Sequence, residues 1–182
     1  MPTIILDRDG VINEDEVRSA AAWRAIPDSL QAMARLSQNG YRVVLAINQG
    51  ELAGRNFTIE DFNAINQKMF THLAQFGGMI EAIFFCPCNS RDRDCNCRKP
   101  RPDMLKDIGN RLRIDLAEVP CVGDRLSDLQ AARAAGAKPV LVKTGKGEKL
   151  VHENKVPKDV PVYDNLAAYV DVLLDKHRNA AY

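Results

Sequence analysis

The chain has 182 residues, of which 46% are hydrophobic and 27% charged, and its formal net charge is +1. That length suits one domain spanning residues 1–182, and the composition excludes a generally disordered chain. The near-neutral charge gives no global reason to expect nucleic acid as a partner, and no apolar run is long enough to span a bilayer. Without a basic-then-apolar leader at the N-terminus, the expectation is a soluble cytoplasmic protein with no membrane partner. Four of the five cysteines fall between positions 86 and 97. In a reducing compartment such clustering suggests metal rather than disulfides.

The first element is Ile4-Ile5-Leu6, a short β-branched and apolar run that predicts a buried parallel strand. It runs into Asp7-Arg8-Asp9-Gly10. Residues i and i+2 of an extended backbone point the same way, so Asp7 and Asp9 can face one site while Arg8 points elsewhere. Residues 13–25 show no period and read as an irregular connection, a small flap over that site. Pro27-Asp28 starts a helix that Gly40 ends, and residues 41–47 form a second strand running into Asn48-Gln49-Gly50. Thr58 and Asp61 form a capping box for a helix over 59–75, stopped by Gly77-Gly78. Residues 79–85 make a third strand, 102–113 a helix, 120–124 a fourth strand and 126–135 a helix closed by Gly136. A fifth strand covers 139–143. Beyond Gly147 the pattern weakens, with an edge strand at 160–163 and a last helix at 166–174. Strands alternating with helices predict an α/β three-layer sandwich, a doubly wound parallel sheet of about five strands.

Four strands end in polar turns: Asp7 with Asp9, Asn48 with Gln49, the loop leading to Lys99, and Asp124 with Asp128. Strand ends of a parallel sheet emerge at one edge, so these four turns converge on one crevice. A lone Asp-x-Asp-Gly is an ordinary turn, and Asp124 or Ser127 can simply cap a helix. Together, up to four carboxylates in one pocket call for a hard cation, and Mg²⁺ takes a few carboxylate oxygens along with waters and substrate phosphate. A lysine such as Lys99 beside a carboxylate nucleophile can neutralise an incoming phosphate. Cys86-Pro-Cys88 and Cys95-Asn-Cys97 offer four thiolates, enough for a closed structural Zn²⁺ site; a redox pair is the alternative. His72, His152 and His177 read as surface or helix-face residues, Cys121 as a small core residue and Gly145-Lys146-Gly147 as a plain loop, with a phosphate cradle as the alternative.

Asp7-Arg-Asp9-Gly10, the polar turn after the second strand, Lys99, and Gly123-Asp124 with Asp128 resemble the ordered motifs of the haloacid dehalogenase superfamily of phosphatases. The resemblance implies an aspartyl-phosphate intermediate. Asp7 becomes the nucleophile, Asp9 the general acid and then base, and Lys99 the phosphate-orienting lysine. Mg²⁺ is held by Asp7, the backbone carbonyl of Asp9 and Asp124, with Asp128 supporting. The zinc loop of Cys86, Cys88, Cys95 and Cys97 joined to Arg98-Lys99-Pro100, on a scaffold with a minimal cap, is similar to the heptose-bisphosphate phosphatases and the related histidinol-phosphate phosphatases. That likeness runs from about residue 3 to 147. It implies a small phosphorylated sugar as substrate, bound by Asn48, Gln49, Arg98 and Arg125, with Arg98 on the distal phosphate; the short cap without an insert suggests a monomer. Where that family has Cys-Pro-His and Thr-Asn-Gln-Ser-Gly, this chain has Cys86-Pro-Cys88 and Ile47-Asn48-Gln49-Gly50-Glu51. Ile47 supplies no hydroxyl to the phosphoryl group and Glu51 adds a negative charge nearby. Residues 13–25 are shorter than the family's specificity loop and lack its Tyr and Lys. A histidinol-phosphate phosphatase, and a phosphate-ester-binding relative that turns over little, are the alternative readings.

Overall fold

Alternating side chains on the central strands divide the molecule into layers. The computed structural model describes residues 1–14 and 17–179, with side chains to 176. Its sheet is built from β1 (Thr3–Leu6), β2 (Arg42–Asn48), β3 (Ala82–Cys86), β4 (Pro120–Gly123), β5 (Lys138–Val142) and β6 (Val162–Tyr163). All neighbours pair in parallel, in the order β3-β2-β1-β4-β5-β6. The sheet has six strands, the five main ones and the two-residue edge strand β6, which lies within the stretch 160–163 where an edge strand is expected.

Ile4 and Leu6 of β1 point to one face, with Val43, Leu45 and Ile47 of β2 beside them. There they meet α1 (Ser29–Gln38), α2 (Ile59–Gln75) and α6 (Leu166–Asn179) through Met33, Leu36, Ile65, Met69, Val170 and Leu174. Ile5, Val44 and Ala46 point to the opposite face, where Met104, Leu105 and Ile108 of α3 (Asp103–Leu112) and Ala131 and Ala132 of α4 (Leu126–Ala135) cover them. Each of the larger side chains among them, Val, Leu, Ile or Met, contributes about 1.5–3 kcal/mol by leaving water. This is the three-layer arrangement that strands buried on both faces require.

Helix ends follow local chemistry. The Thr58 hydroxyl accepts from the Asp61 amide at 3.2 Å and the Asp61 carboxylate accepts from the Thr58 amide at 2.9 Å, the reciprocal box that starts α2. At α4 the Asp128 carboxylate accepts from the Arg125 amide at 3.0 Å, so its placement is set by helix capping as well as by the site. A short α5 (Gly147–His152) follows β5, in the stretch where the sequence pattern weakens. Among the described residues no helix is long and apolar enough to cross a membrane.

Candidate active site

The topology reverses direction between β1 and β4, and the crevice at the C-terminal ends of these strands is where ligands bind in such sheets. The Asp7 amide donates to the Val122 carbonyl at 2.9 Å, extending the β1–β4 pairing by one residue and setting Asp7 beside the turn that carries Asp124. Oxygen atoms of Asp7, Asp124 and Asp128 lie within 4.8 Å of one another. Lys99 enters from the loop after β3, and its ammonium group uses all its donors: 3.1 Å to Asp7, 2.7 Å to Asp128 and 2.7 Å to the Ala46 carbonyl. Burial alone would lower its pKa, but the Asp128 and Asp7 charges outweigh that and hold it firmly protonated.

Three carboxylates around one ammonium leave excess negative charge. Burial pushes the Asp7 carboxyl up to about 6 against the pull of Lys99, with Asp128 and Asp9 adding to the rise. Asp124 is pushed up to about 8, by burial first and then by Asp7 and Asp128, despite the Lys146 amide and Arg125. Asp124 is fully buried, its Oδ2 accepts from the Lys146 amide at 2.7 Å, and its Oδ1 has no hydrogen-bond partner. A buried carboxylate oxygen with a free lone pair, set among two further carboxylates, fits a hard divalent cation such as Mg²⁺. Asp128 offers less, since its two oxygens already serve Lys99 and the Arg125 amide.

The cleft over this centre encloses about 480 Å³ and is lined by Asp7, Asp9, Asn48, Gln49, Glu51, Arg98, Lys99, Arg125 and Asp128, with Val17 and Arg18 of the expected flap. Arg18 and Arg125 stand at its rim, Arg125 3.8 Å from Asp124. Residues 15 and 16 of that flap lie outside the described residues, as does the side chain of His177. At the other end of the loop, Cys86, Cys88, Cys95 and Cys97 bring their sulfurs within 4.8 Å of one another, with Cys86 to Cys95 at 3.4 Å and Cys95 to Cys97 at 3.7 Å. Cys86 and Cys97 stand at 2.6 Å, closer than two sulfurs bound to one tetrahedral Zn²⁺ through bonds of about 2.3 Å, so what fits zinc is the donor set of four gathered thiols rather than each spacing. Burial works against ionising Cys95, yet bonds from Cys88 and the Arg98 amide outweigh it and hold the thiol at about 7.

A family model described as "HAD-hyrolase-like" matches residues 96–169. A D-glycero-beta-D-manno-heptose-1,7-bisphosphate 7-phosphatase of Bordetella bronchiseptica is 50% identical, covering 97% of this chain and 99% of that one. The enzyme of the same name from Pseudomonas aeruginosa is 41% identical over 94% and 97%. The chain belongs to the heptose-bisphosphate phosphatase family of HAD-like hydrolases. Among solved structures, the B. bronchiseptica D,D-heptose 1,7-bisphosphate phosphatase in complex with magnesium and phosphate superposes with a TM-score of 0.93, at 50% identity and covering 97% and 99% of the two chains. The Burkholderia thailandensis enzyme superposes at 0.77, with 40% identity over 96% and 99%.

Within this heptose-bisphosphate phosphatase relative, several side chains differ from their expected placement. Asn48 is occupied with the Lys99 backbone, its amide donating to the Lys99 carbonyl and its oxygen accepting from the Lys99 amide, both at 3.0 Å. Gln49 is 2% exposed and its side chain is spent on Arg8 at 2.7 Å and Glu51 at 3.0 Å, so it borders the cleft without reaching freely into it. Ile47, expected beside the phosphoryl site, is packed in the core beneath α1 and α2, because strand alternation turns it to that face. Gly145-Lys146-Gly147 is no plain loop: it wraps Asp124, with the Lys146 amide on Oδ2 and the Thr144 hydroxyl donating to the Gly10 carbonyl at 2.7 Å. Arg98 lines the cleft while donating to the Cys88 carbonyl at 2.9 Å, which ties the cysteine loop to the site.

Proposed function

We propose that this chain is a Mg²⁺-dependent phosphatase that removes the 7-phosphate of D-glycero-β-D-manno-heptose 1,7-bisphosphate, a cytoplasmic step in supplying ADP-heptose for the lipopolysaccharide core. The observation that carries the reading is the convergence of Asp7, Asp124 and Asp128 beside the cleft, with Lys99 between Asp7 and Asp128 and with an Asp124 oxygen that accepts no hydrogen bond and faces Arg125 at 3.8 Å. Asp7 attacks phosphorus through a carboxylate oxygen and takes the phosphoryl group as the bond to the sugar oxygen breaks. Asp9 gives a proton to that departing oxygen, then accepts one from the water that attacks the aspartyl phosphate. Lys99 keeps Asp7 ionised and offsets charge on the phosphoryl oxygens. Asp7, Asp124 and the Asp9 carbonyl, with Asp128 behind, would hold Mg²⁺, which would supply further charge neutralisation.

The distal phosphate falls to Arg98 and Arg125, guanidinium groups at the cleft wall suited to a phosphate in two-pronged contact. Zn²⁺ held by the four cysteines is structural, since four thiolates leave no open position for water. Support for turnover, as against binding alone, comes from Glu51: its charge is engaged by Gln49, and Asp7, Asp9 and Lys99 are all present. Parallel assays of the heptose bisphosphate and histidinol phosphate test the substrate. A higher kcat/KM for the bisphosphate is expected; a preference for histidinol phosphate overturns it.

A further inference from the structure

The largest charged side chain with no place in the mechanism so far is Arg8, which is completely buried. A guanidinium withdrawn from water is costly unless it is fully paired, and here two of its partners, Asp9 and Gln49, line the cleft. Its Nε donates to Asp9 Oδ1 at 2.9 Å and its Nη2 to Asp9 Oδ2 at 3.1 Å, a two-pronged grip on the adjacent carboxylate. The same Nη2 donates to Gln49 Oε1 at 2.7 Å, and Nη1 to Asn66 Oδ1 at 3.2 Å. The Phe62 ring lies beneath, 5.5 Å from the guanidinium carbon. Asn13 donates to Asp9 Oδ1 at 2.9 Å from outside the pair, so the plane of the Asp9 carboxylate is fixed by three bonds.

The chain of bonds continues to the altered turn. Gln49 Nε2 donates to Glu51 Oε2 at 3.0 Å, which leaves the amide oxygen facing Arg8. Glu51 is the position where the sequence brings an unexpected negative charge toward an anion site, and the structure gives that charge a counterpart: the Arg8 cation, one amide away.

Resting on the function proposed above, we infer that Arg8 is a positioning residue that aims Asp9 at the leaving-group oxygen, and that Gln49 and Glu51 hold Arg8 in register. A planar two-pronged grip sets direction as well as distance, which a lysine at the same place does not reproduce. Glu51 is then part of the acid-base machinery's support.

Leaving-group dependence separates this role from a merely structural one. A sugar alkoxide departs only with a proton from Asp9, whereas 4-nitrophenolate leaves without help, and kcat/KM for either ester covers only the steps up to its departure. The variants are Arg8→Lys and Glu51→Ala, each assayed on the heptose bisphosphate and on 4-nitrophenyl phosphate with Mg²⁺ present. General acid catalysis is worth on the order of 10²- to 10⁴-fold, so Arg8→Lys is expected to lower kcat/KM for the sugar ester at least about tenfold more than for the nitrophenyl ester. Glu51→Ala shifts the ratio the same way by a smaller factor. Equal losses on both esters, or an unshifted ratio in Glu51→Ala, overturn the inference. Glu51 is only half-buried, so its variant carries the test if Arg8→Lys does not fold. Failure of the underlying function is distinct: the wild-type protein itself then releases no phosphate from the bisphosphate.

Discussion

A Cβ added to Gly10 would stand 2.2 Å from Asp124 Oδ2, at a backbone φ of +84° that L side chains rarely adopt. The nucleophile turn and the β4 turn thus meet without room for a methyl group, and Gly145 closes the third side, with Asp124 Oδ2 at 2.1 Å from its own hypothetical Cβ. Gly10→Ala is expected to displace the Asp124 carboxylate and so weaken Mg²⁺. A misplacement of about 1 Å in a reacting site can cost on the order of 100-fold in rate. A Mg²⁺ titration of activity should show a higher half-saturating concentration together with a lower maximum; an unchanged titration removes the role given to this contact.

Lys99 is the cation directly between Asp7 and Asp128, and all three side chains are nearly out of water. Lys99→Met leaves two buried carboxylates facing each other, a change that typically costs about 3–5 kcal/mol. Urea unfolding should show a loss of that order together with abolished phosphatase activity. Stability within 1 kcal/mol of wild type would mean the two acids are not held together as described.

The raised pKa values of Asp7 and Asp124, about 6 and about 8, make a signed prediction for the metal-free protein. Between the ordinary carboxylate range and these values the folded chain binds more protons than the unfolded chain, so stability falls as pH rises from about 4 to 8. Below that window both states are protonated and the two groups contribute no slope. Added Mg²⁺ replaces the protons, so its stabilising shift in Tm should be larger at pH 8 than at pH 5. Thermal melts in chelator and in Mg²⁺ across that range check the sign; a Mg²⁺ shift that shrinks toward pH 8 contradicts the assignment.

Removing zinc with a chelator, or Cys95→Ser, should lower Tm, by about 2–4 °C for each kcal/mol lost in a chain of this size. Because Arg98 is anchored on the Cys88 carbonyl, KM for the bisphosphate should also rise while kcat changes less. Melting and KM that both stay unchanged would remove the zinc site and its link to Arg98.

The parts of the site that were legible in the sequence are those announced by strand ends. Asp7 and Asp124 each follow an apolar run, Lys99 comes from the loop after a third, and parallel pairing then leaves these turns one edge on which to meet. The 59–75 helix was equally plain, with its capping box at one end and Gly77-Gly78 at the other. Arg8 was hidden because its partners Gln49 and Asn66 lie 41 and 58 residues away, and only the packed fold brings them together. The signal available was a charged residue alternating inward between two outward acids. The 144–147 turn showed only a glycine pair around a lysine, a signal for phosphate rather than for Asp124, since the turn acts through a backbone amide and through missing side-chain bulk. Gln49 read as a ligand for substrate because polar strand ends usually are, whereas a buried arginine had claimed it.

The most direct test of the account is Mg²⁺-dependent phosphate release from D-glycero-β-D-manno-heptose 1,7-bisphosphate by the wild-type protein and by Asp7→Asn. Release by the wild type that needs Mg²⁺ and vanishes in Asp7→Asn, with both proteins folded, is the predicted result. Release that survives in Asp7→Asn, or a folded wild type that leaves the bisphosphate intact, would contradict it.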